Sequence, residues 1–112
     1  MDIKENTKLQ NQLKCFLGAY YGVSIMDEYS LKEYMLKDME EMIKSFVKMN
    51  KIEESDYKRI EEEVKDNMSK KTKLQDALLV LNDMNAPMDL VFQIKERLKN
   101  EKDKEWRKYE KE

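Results

Sequence analysis

The stretch FLGAYYGVSIM, residues 16–26, contains both glycines of this 112-residue chain. Upstream of it, apolar residues recur at helical spacing, which predicts a first helix over about residues 6–21. Gly18 then lies inside this helix, where the missing side chain allows a second helix to approach closely. Gly22 follows the last turn, where helices commonly end in a left-handed residue. The stretch therefore predicts the end of a helix and the turn after it, and it is too short to span a bilayer.

Both ends of this first helix leave alternatives open. Either Asn6 or Thr7 can cap its amino terminus, since both side chains carry an oxygen that accepts from free backbone N–H groups. A short strand from Tyr20 to Ile25 is the less favoured alternative to the helix end and turn.

Capping patterns and one chain break divide the rest of the sequence into further helices. A Ser-x-x-Glu pattern at residues 30–33 opens a helix that runs to about Asn50, and Ser55 is the expected cap of the third helix. A Thr-x-x-Gln pattern at residues 72–75 opens the fourth, and Asn-Ala-Pro at residues 85–87 separates it from the last. With two Gly and one Pro, the chain is predicted to be all-α, a compact bundle of four to five helices.

Two of these helices carry most of the predicted core. The second has an apolar arc of roughly 160°, wide enough to contact more than one neighbour, and is expected at the centre of the domain. Its methionines are interpreted mainly as core, with an adaptable partner surface as the alternative; they are Met35, Met39, Met42 and Met49. Residues 77–81, Ala-Leu-Leu-Val-Leu, leave no polar face, so we expect the fourth helix to be buried from several sides.

The last helix has two apolar sides of different character. Leu90, Ile94 and Leu98 lie within roughly 80° of one another and continue the core stripe. Met88 and Phe92, four residues apart, point to the far side. The sequence therefore predicts one buried face and one face that is open to a partner.

The chain becomes strongly charged after Leu98. We predict a single helical domain over residues 1–98 and a charged helical extension over residues 99–112. Trp106, extrapolated along the last helix, falls on the same far side as Phe92, and an aromatic side chain on a charged helix is a common interface anchor. The candidate partner-binding residues are Met88, Phe92, Lys99, Trp106 and Tyr109. The alternative is that Phe92 and Trp106 fold back onto their own chain.

Composition argues against several functional classes. The chain is 41% charged but has a formal net charge of only -2, so it lacks the basic footprint typical of a nucleic-acid-binding domain. No apolar run approaches the roughly 20 residues of a spanning helix, and the first residues lack the pattern of a signal peptide. A single cysteine fits a reducing compartment. We therefore expect a cytoplasmic protein without a membrane partner.

The side chains offer little catalytic chemistry. Histidine is absent, which removes the commonest general base and metal ligand. Adjacent carboxylates at residues 40–41 and 61–63 point to different sides of a helix and are interpreted as solvated charges. Cys15 has no histidine to activate it and is interpreted as a structural thiol. The sequence therefore predicts no enzyme, no cofactor and no metal site.

The predicted function is that of a non-enzymatic protein-interaction module: an inhibitor, adaptor or assembly factor that acts through a helical surface. A single bundle of this length has too few residues to bury both residues 77–81 and the wide apolar face of the second helix. We therefore expect a homodimer with twofold symmetry. Lys, Asn, Ile and Tyr, which have AT-rich codons, are abundant, and this usage indicates an AT-rich genome or a phage or other mobile element.

A small nucleic-acid-associated regulator is the alternative function. Lys70, Lys71 and Lys73 form a basic cluster, and two helices joined at residues 85–87 suggest a helix-turn-helix. Against this alternative, the second of these helices begins with an acid and apolar residues, where base-reading side chains are needed. Nucleic acid is therefore the less favoured partner.

Overall fold

The computed structural model of the protein describes residues 6–26 and 32–110, with side chains described as far as residue 101. Within these ranges the chain forms α-helices and no strand, and the predicted all-α fold is confirmed. The helices are α1 Thr7–Ile25, α2 Lys32–Met49, α3 Glu54–Asn67, α4 Lys70–Asp83 and α5 Met88–Glu110. The capping pattern predicted at residues 30–33 lies partly outside the described residues.

The core consists of two apolar clusters arranged along α1. One joins the second half of α1 to α4, α5 and the first half of α2, and includes Val23, Leu81 and Ile94. The other joins the first half of α1 to α3 and the second half of α2, and includes Leu13 and Ile60. Among the described residues, α1 packs extensively on α2, α3 and α4, whereas α2 packs extensively only on α1. The prediction that α2 is the central helix is therefore wrong.

The two glycines explain why α1 takes the central position. Gly22 does not end the helix in a left-handed conformation, as predicted, because α1 continues to Ile25 and neither glycine has a positive φ. Both glycines face α4 instead. A Cβ on Gly22 would overlap the backbone carbonyl oxygen of Lys73, and one on Gly18 would lie 2.5 Å from the Oδ2 atom of Asp76. The close approach expected at Gly18 is thus confirmed, and the strand alternative is wrong.

Three helix starts compare with the predicted caps as follows. Asn6 caps α1, because its Oδ1 accepts from the Leu9 N–H at 3.0 Å. Ser69 rather than Thr72 caps α4, because the Ser69 Oγ accepts from the Thr72 N–H at 3.1 Å. Ser55 is not the cap of α3, because the helix begins at Glu54 and its N-cap residue is Glu53. Glu54 therefore lies in the first turn of the helix. An acidic first turn stabilises a helix start through the macrodipole, so α3 has another source of stabilisation.

The left-handed positions lie at the ends of α2 and α4. Lys51 has a φ of 52° and Asn85 a φ of 56°. After α2, the Ile52 N–H donates to the Val47 carbonyl at 3.0 Å and the Lys51 N–H donates to the Lys48 carbonyl at 3.2 Å. This pair of hydrogen bonds defines a Schellman motif, in which the left-handed position usually holds glycine. The equivalent pair follows α4, where the residue is asparagine, which tolerates this conformation well.

Lys51→Gly is expected to raise the free energy of unfolding by about 0.5–1 kcal/mol, because glycine removes the steric cost of the left-handed conformation. The measurement is a urea titration followed by circular dichroism. Lys48→Gly is the matched control, since Lys48 is an exposed lysine inside α2. There glycine is expected to destabilise by a similar amount. Destabilisation by both variants would contradict the strain assigned to Lys51.

The apolar run of α4 is not buried as a whole. Ala77 and Leu81 are fully buried, but Leu79 is 61% exposed. Successive helical residues are 100° apart, so Leu79 and Leu81 point to nearly opposite sides. The helix has extensive contacts with α1 and α5 only, among the residues described. The expectation that residues 77–81 are covered from several sides is therefore wrong at Leu79.

The methionines of α2 divide between core and surface. Met35 and Met39 are buried, and Met42 packs against the same cluster. Met49, in the last residue of the helix, is 80% exposed. The interpretation of the stripe as core is confirmed for the first three, while the fourth is open to solvent.

Candidate functional site

The outer face of α5 carries the predicted partner-binding residues, and the helix start positions it. Pro87 immediately precedes α5, and its carbonyl accepts from the N–H groups of Leu90 and Val91 at 3.2 and 3.3 Å. Leu90 is fully buried in the cluster that α5 shares with α4, and this burial sets which side of α5 faces the core. On the opposite side, Met88 is 79% exposed and Phe92 is 63% exposed. These two side chains are one helical turn apart and form an apolar patch on the surface.

The remaining predicted residues extend along the same helix. Lys99 is exposed, two turns beyond Phe92, whereas Leu98 is partly buried against the core. Trp106 and Tyr109 belong to α5 by their backbone, but their side chains lie outside the described residues. Helix α5 is continuous across the predicted domain boundary at residue 98. Whether residues 99–112 act as a separate extension stays a prediction.

Sequence reasoning missed one exposed apolar side chain of the α4–α5 hairpin. Leu79 points away from the core of α4, and a helical wheel centred on Leu74 and Leu81 would have placed it there. Tyr34 on α2 is also exposed, at 71%. It lies near the start of a different helix, which makes it a useful reference position for experiments on the α5 patch.

A thiol and a carboxyl group meet at the contact between α1 and α4. The Cys15 thiol is half-buried and hydrogen-bonds to the Asp76 side chain, which lies beside Gly18. Burial and the neighbouring Asp76 raise the pKa of Cys15 from 9.0 to about 11. A thiol with a raised pKa is a poor nucleophile. Burial also raises the pKa of Asp76, from 3.8 to about 6, although the hydrogen bond from Cys15 opposes this shift.

Asp76→Asn is expected to stabilise the protein by about 1 kcal/mol at pH 8, with the gain disappearing towards pH 4. A carboxyl whose pKa is raised by folding binds a proton more tightly in the folded state, so the wild type loses stability as pH rises from 3.8 to about 6. The expected gain in stability is smaller than the full pKa shift would give, because Asp76 is only half-buried and solvent screens its charge. Urea titrations from pH 4 to 8 measure it. A gain in stability that does not change with pH would contradict the raised pKa of Asp76 as its cause.

The predicted basic cluster at the start of α4 is partly occupied by internal contacts. The Lys73 Nζ donates to the carbonyl of Lys65 at 3.1 Å and lies 5.8 Å from the centre of the Tyr21 ring. These contacts hold the Lys73 ammonium group against its own protein. Lys73 is therefore less available to a phosphate backbone than the sequence suggested.

The structure describes the backbone of residues 6–26 and 32–110. In that part of the chain, every helix is too short or too polar to cross a lipid bilayer. Among the side chains that the structure describes, no three or more potential metal ligands cluster together. Comparisons with protein families, with curated proteins and with solved structures gave no match to this chain.

Proposed function

We propose that this protein is a non-enzymatic protein-interaction module that binds its partner through the outer face of α5. The supporting observation is the Met88–Phe92 patch, two large apolar side chains that are one turn apart and mostly exposed. Exposed apolar patches are recurrent docking surfaces, and an aromatic side chain commonly supplies much of the binding free energy. Lys99 adds a positive charge at the far end of the same face.

The roles that fit such a surface are those of an inhibitor, an adaptor or an assembly factor working in the cytoplasm. A second copy of this chain is the first partner that we propose, in a homodimer with twofold symmetry. A twofold interface is self-complementary, so one patch on each protomer is sufficient to form it. The proposed source of the gene is an AT-rich genome or a phage or other mobile element, and the support for it is the abundance of amino acids whose codons are AT-rich.

Phe92→Ala is expected to weaken self-association at least thirtyfold while leaving the melting temperature almost unchanged. Removing an aromatic anchor typically costs 2 kcal/mol or more of binding free energy, whereas a substitution at a mostly exposed position changes stability by about 0.5 kcal/mol or less. Sedimentation velocity measures the association, and thermal circular dichroism measures the stability. Tyr34→Ala, an equally exposed aromatic on α2, is the matched control and should leave association unchanged.

A wild-type chain that stays monomeric at tens of micromolar would exclude the homodimer and direct the search to a different protein. A photo-crosslinking residue introduced at position 92, with position 34 as the control, then reports that partner in the native host. No cross-link specific to position 92 would contradict the proposed function. Binding to duplex DNA that weakens steeply as salt is raised would favour the nucleic-acid regulator instead.

A further inference from the structure

An open groove lies between α2 and α3, in the half of the molecule that does not contain α5. Both helices pack against α1, and their apolar side chains meet around the turn that joins them. The groove has a volume of about 320 Å³. Its lining is apolar except for three lysines, and consists of Ile43, Lys44, Val47, Lys48, Lys51, Ile52 and Tyr57.

The apolar surface of this groove is recessed and held in place. Ile43 and Ile52 are 4% and 8% exposed, so they form a floor rather than a protrusion. The Schellman motif after α2 positions Ile52, whose N–H binds the Val47 carbonyl. Tyr57 forms one wall, and its hydroxyl is hydrogen-bonded to the Glu61 side chain. The groove is therefore present before any ligand binds, which lowers the entropic cost of binding.

The rim of the groove is positively charged. The Lys44 Nζ forms an ion pair with the Glu40 Oε1 at 3.3 Å on the same helix. Lys48 and Lys51 form no ion pair with any residue that the structure describes. None of the described residues that line the groove is acidic. A ligand that inserts apolar groups between α2 and α3 therefore meets two ammonium groups that favour carboxylates.

We propose that this groove binds an acidic amphipathic helix of a partner protein. Apolar side chains of that helix would insert over Ile43 and Ile52, and its Asp or Glu side chains would pair with Lys48 and Lys51. Docking of an amphipathic helix into an apolar groove is a recurrent mode of peptide recognition. A flat membrane surface fits less well, because the apolar floor is recessed between two helices. This site adds a second binding surface to the one on α5, as an adaptor requires.

The first experiment selects ligands without presupposing their sequence. A display library of 16-residue amphipathic helices, with fixed apolar positions and randomised polar ones, is selected against the full-length protein. We expect enrichment of Asp and Glu beside the apolar positions, and dissociation constants in the micromolar range by fluorescence anisotropy. Recovery of peptides without acidic enrichment would overturn the proposal. Backbone amide shifts at Val47 and Ile52 in nuclear magnetic resonance spectra should report binding in the groove.

The second experiment assigns the charge contacts. The double variant Lys48→Glu/Lys51→Glu should bind the selected acidic peptide at least tenfold more weakly than the wild type does. It should instead bind a version of the peptide in which lysines replace the acidic residues. Lys37→Glu is the matched control, because Lys37 is an exposed lysine of α2 outside the groove, and it should bind like the wild type. Unchanged binding by the double variant would overturn the proposal. The proposal would also be overturned if the protein bound phosphatidylserine vesicles but no peptide and if this binding depended on Lys48 and Lys51. That result would indicate a membrane-binding surface.

Peptide binding in the groove can be tested separately from partner binding by the α5 patch. Phe92→Ala should bind the selected peptide as the wild type does, because Phe92 and the groove belong to different halves of the molecule. Loss of peptide binding in Phe92→Ala would overturn the assignment of the peptide to the groove, whatever happens to self-association.

Discussion

Gly22→Val is expected to destabilise the protein by about 3 kcal/mol, measured as the change in the free energy of unfolding in urea. The added Cβ would overlap the Lys73 carbonyl oxygen, and it would lie 3.0 Å from the Cβ of Ala77. Both neighbours belong to the α4 scaffold and are not the flexible ends of side chains. Helices α1 and α4 must therefore separate, and overpacking of this kind typically costs 1–3 kcal/mol or more. A β-branched residue adds a second carbon in the same space.

Gly18→Ala is the matched control for this prediction, because Gly18 faces the same helix one turn earlier. Its added Cβ would meet the ends of two flexible side chains, the Asp76 carboxylate and the Met68 sulfur. Both can move aside, and alanine gains up to about 1 kcal/mol of helix propensity over glycine. We expect a net change within about 1 kcal/mol. Equal losses in both variants would contradict a backbone clash specific to Gly22.

Leu81→Ala is expected to cost about 3 kcal/mol, because Leu81 is fully buried in the cluster that α1, α2, α4 and α5 share. Truncating a buried leucine removes its transfer free energy and leaves a cavity, with measured costs of 2–5 kcal/mol. Denaturant unfolding of the purified variant gives the value. The loss should appear without a change in the slope of the transition, which reports the surface exposed on unfolding.

Leu79→Ala provides the comparison within the same apolar run. The side chain is 61% exposed, so its removal should change the free energy of unfolding by about 0.5 kcal/mol or less. Two leucines of one helix, two residues apart, should thus differ at least fivefold in their effect on stability. If Leu79→Ala destabilises as strongly as Leu81→Ala, the orientation of α4 that buries Leu81 and exposes Leu79 is wrong.

Part of the candidate site followed from the sequence alone. The last helix has a strong angular pattern, and the structure confirms that Leu90 and Ile94 are buried while Met88 and Phe92 are exposed. The groove between α2 and α3 was not predicted. Its lining comes from two helices and the turn between them, and helical periodicity describes only one helix at a time.

The sequence by itself determined the all-α fold and the break near residue 85, because helix formation and helix termination depend on local signals. Its two glycines were ambiguous, since the same residue serves a left-handed helix end or a close approach between helices. Only the tertiary structure decided between these roles, by packing α4 against Gly18 and Gly22. It also placed α1 rather than α2 at the centre and left Leu79 in solvent. Each outcome depends on which distant segment occupies the neighbouring space, and a local pattern carries no information about that segment.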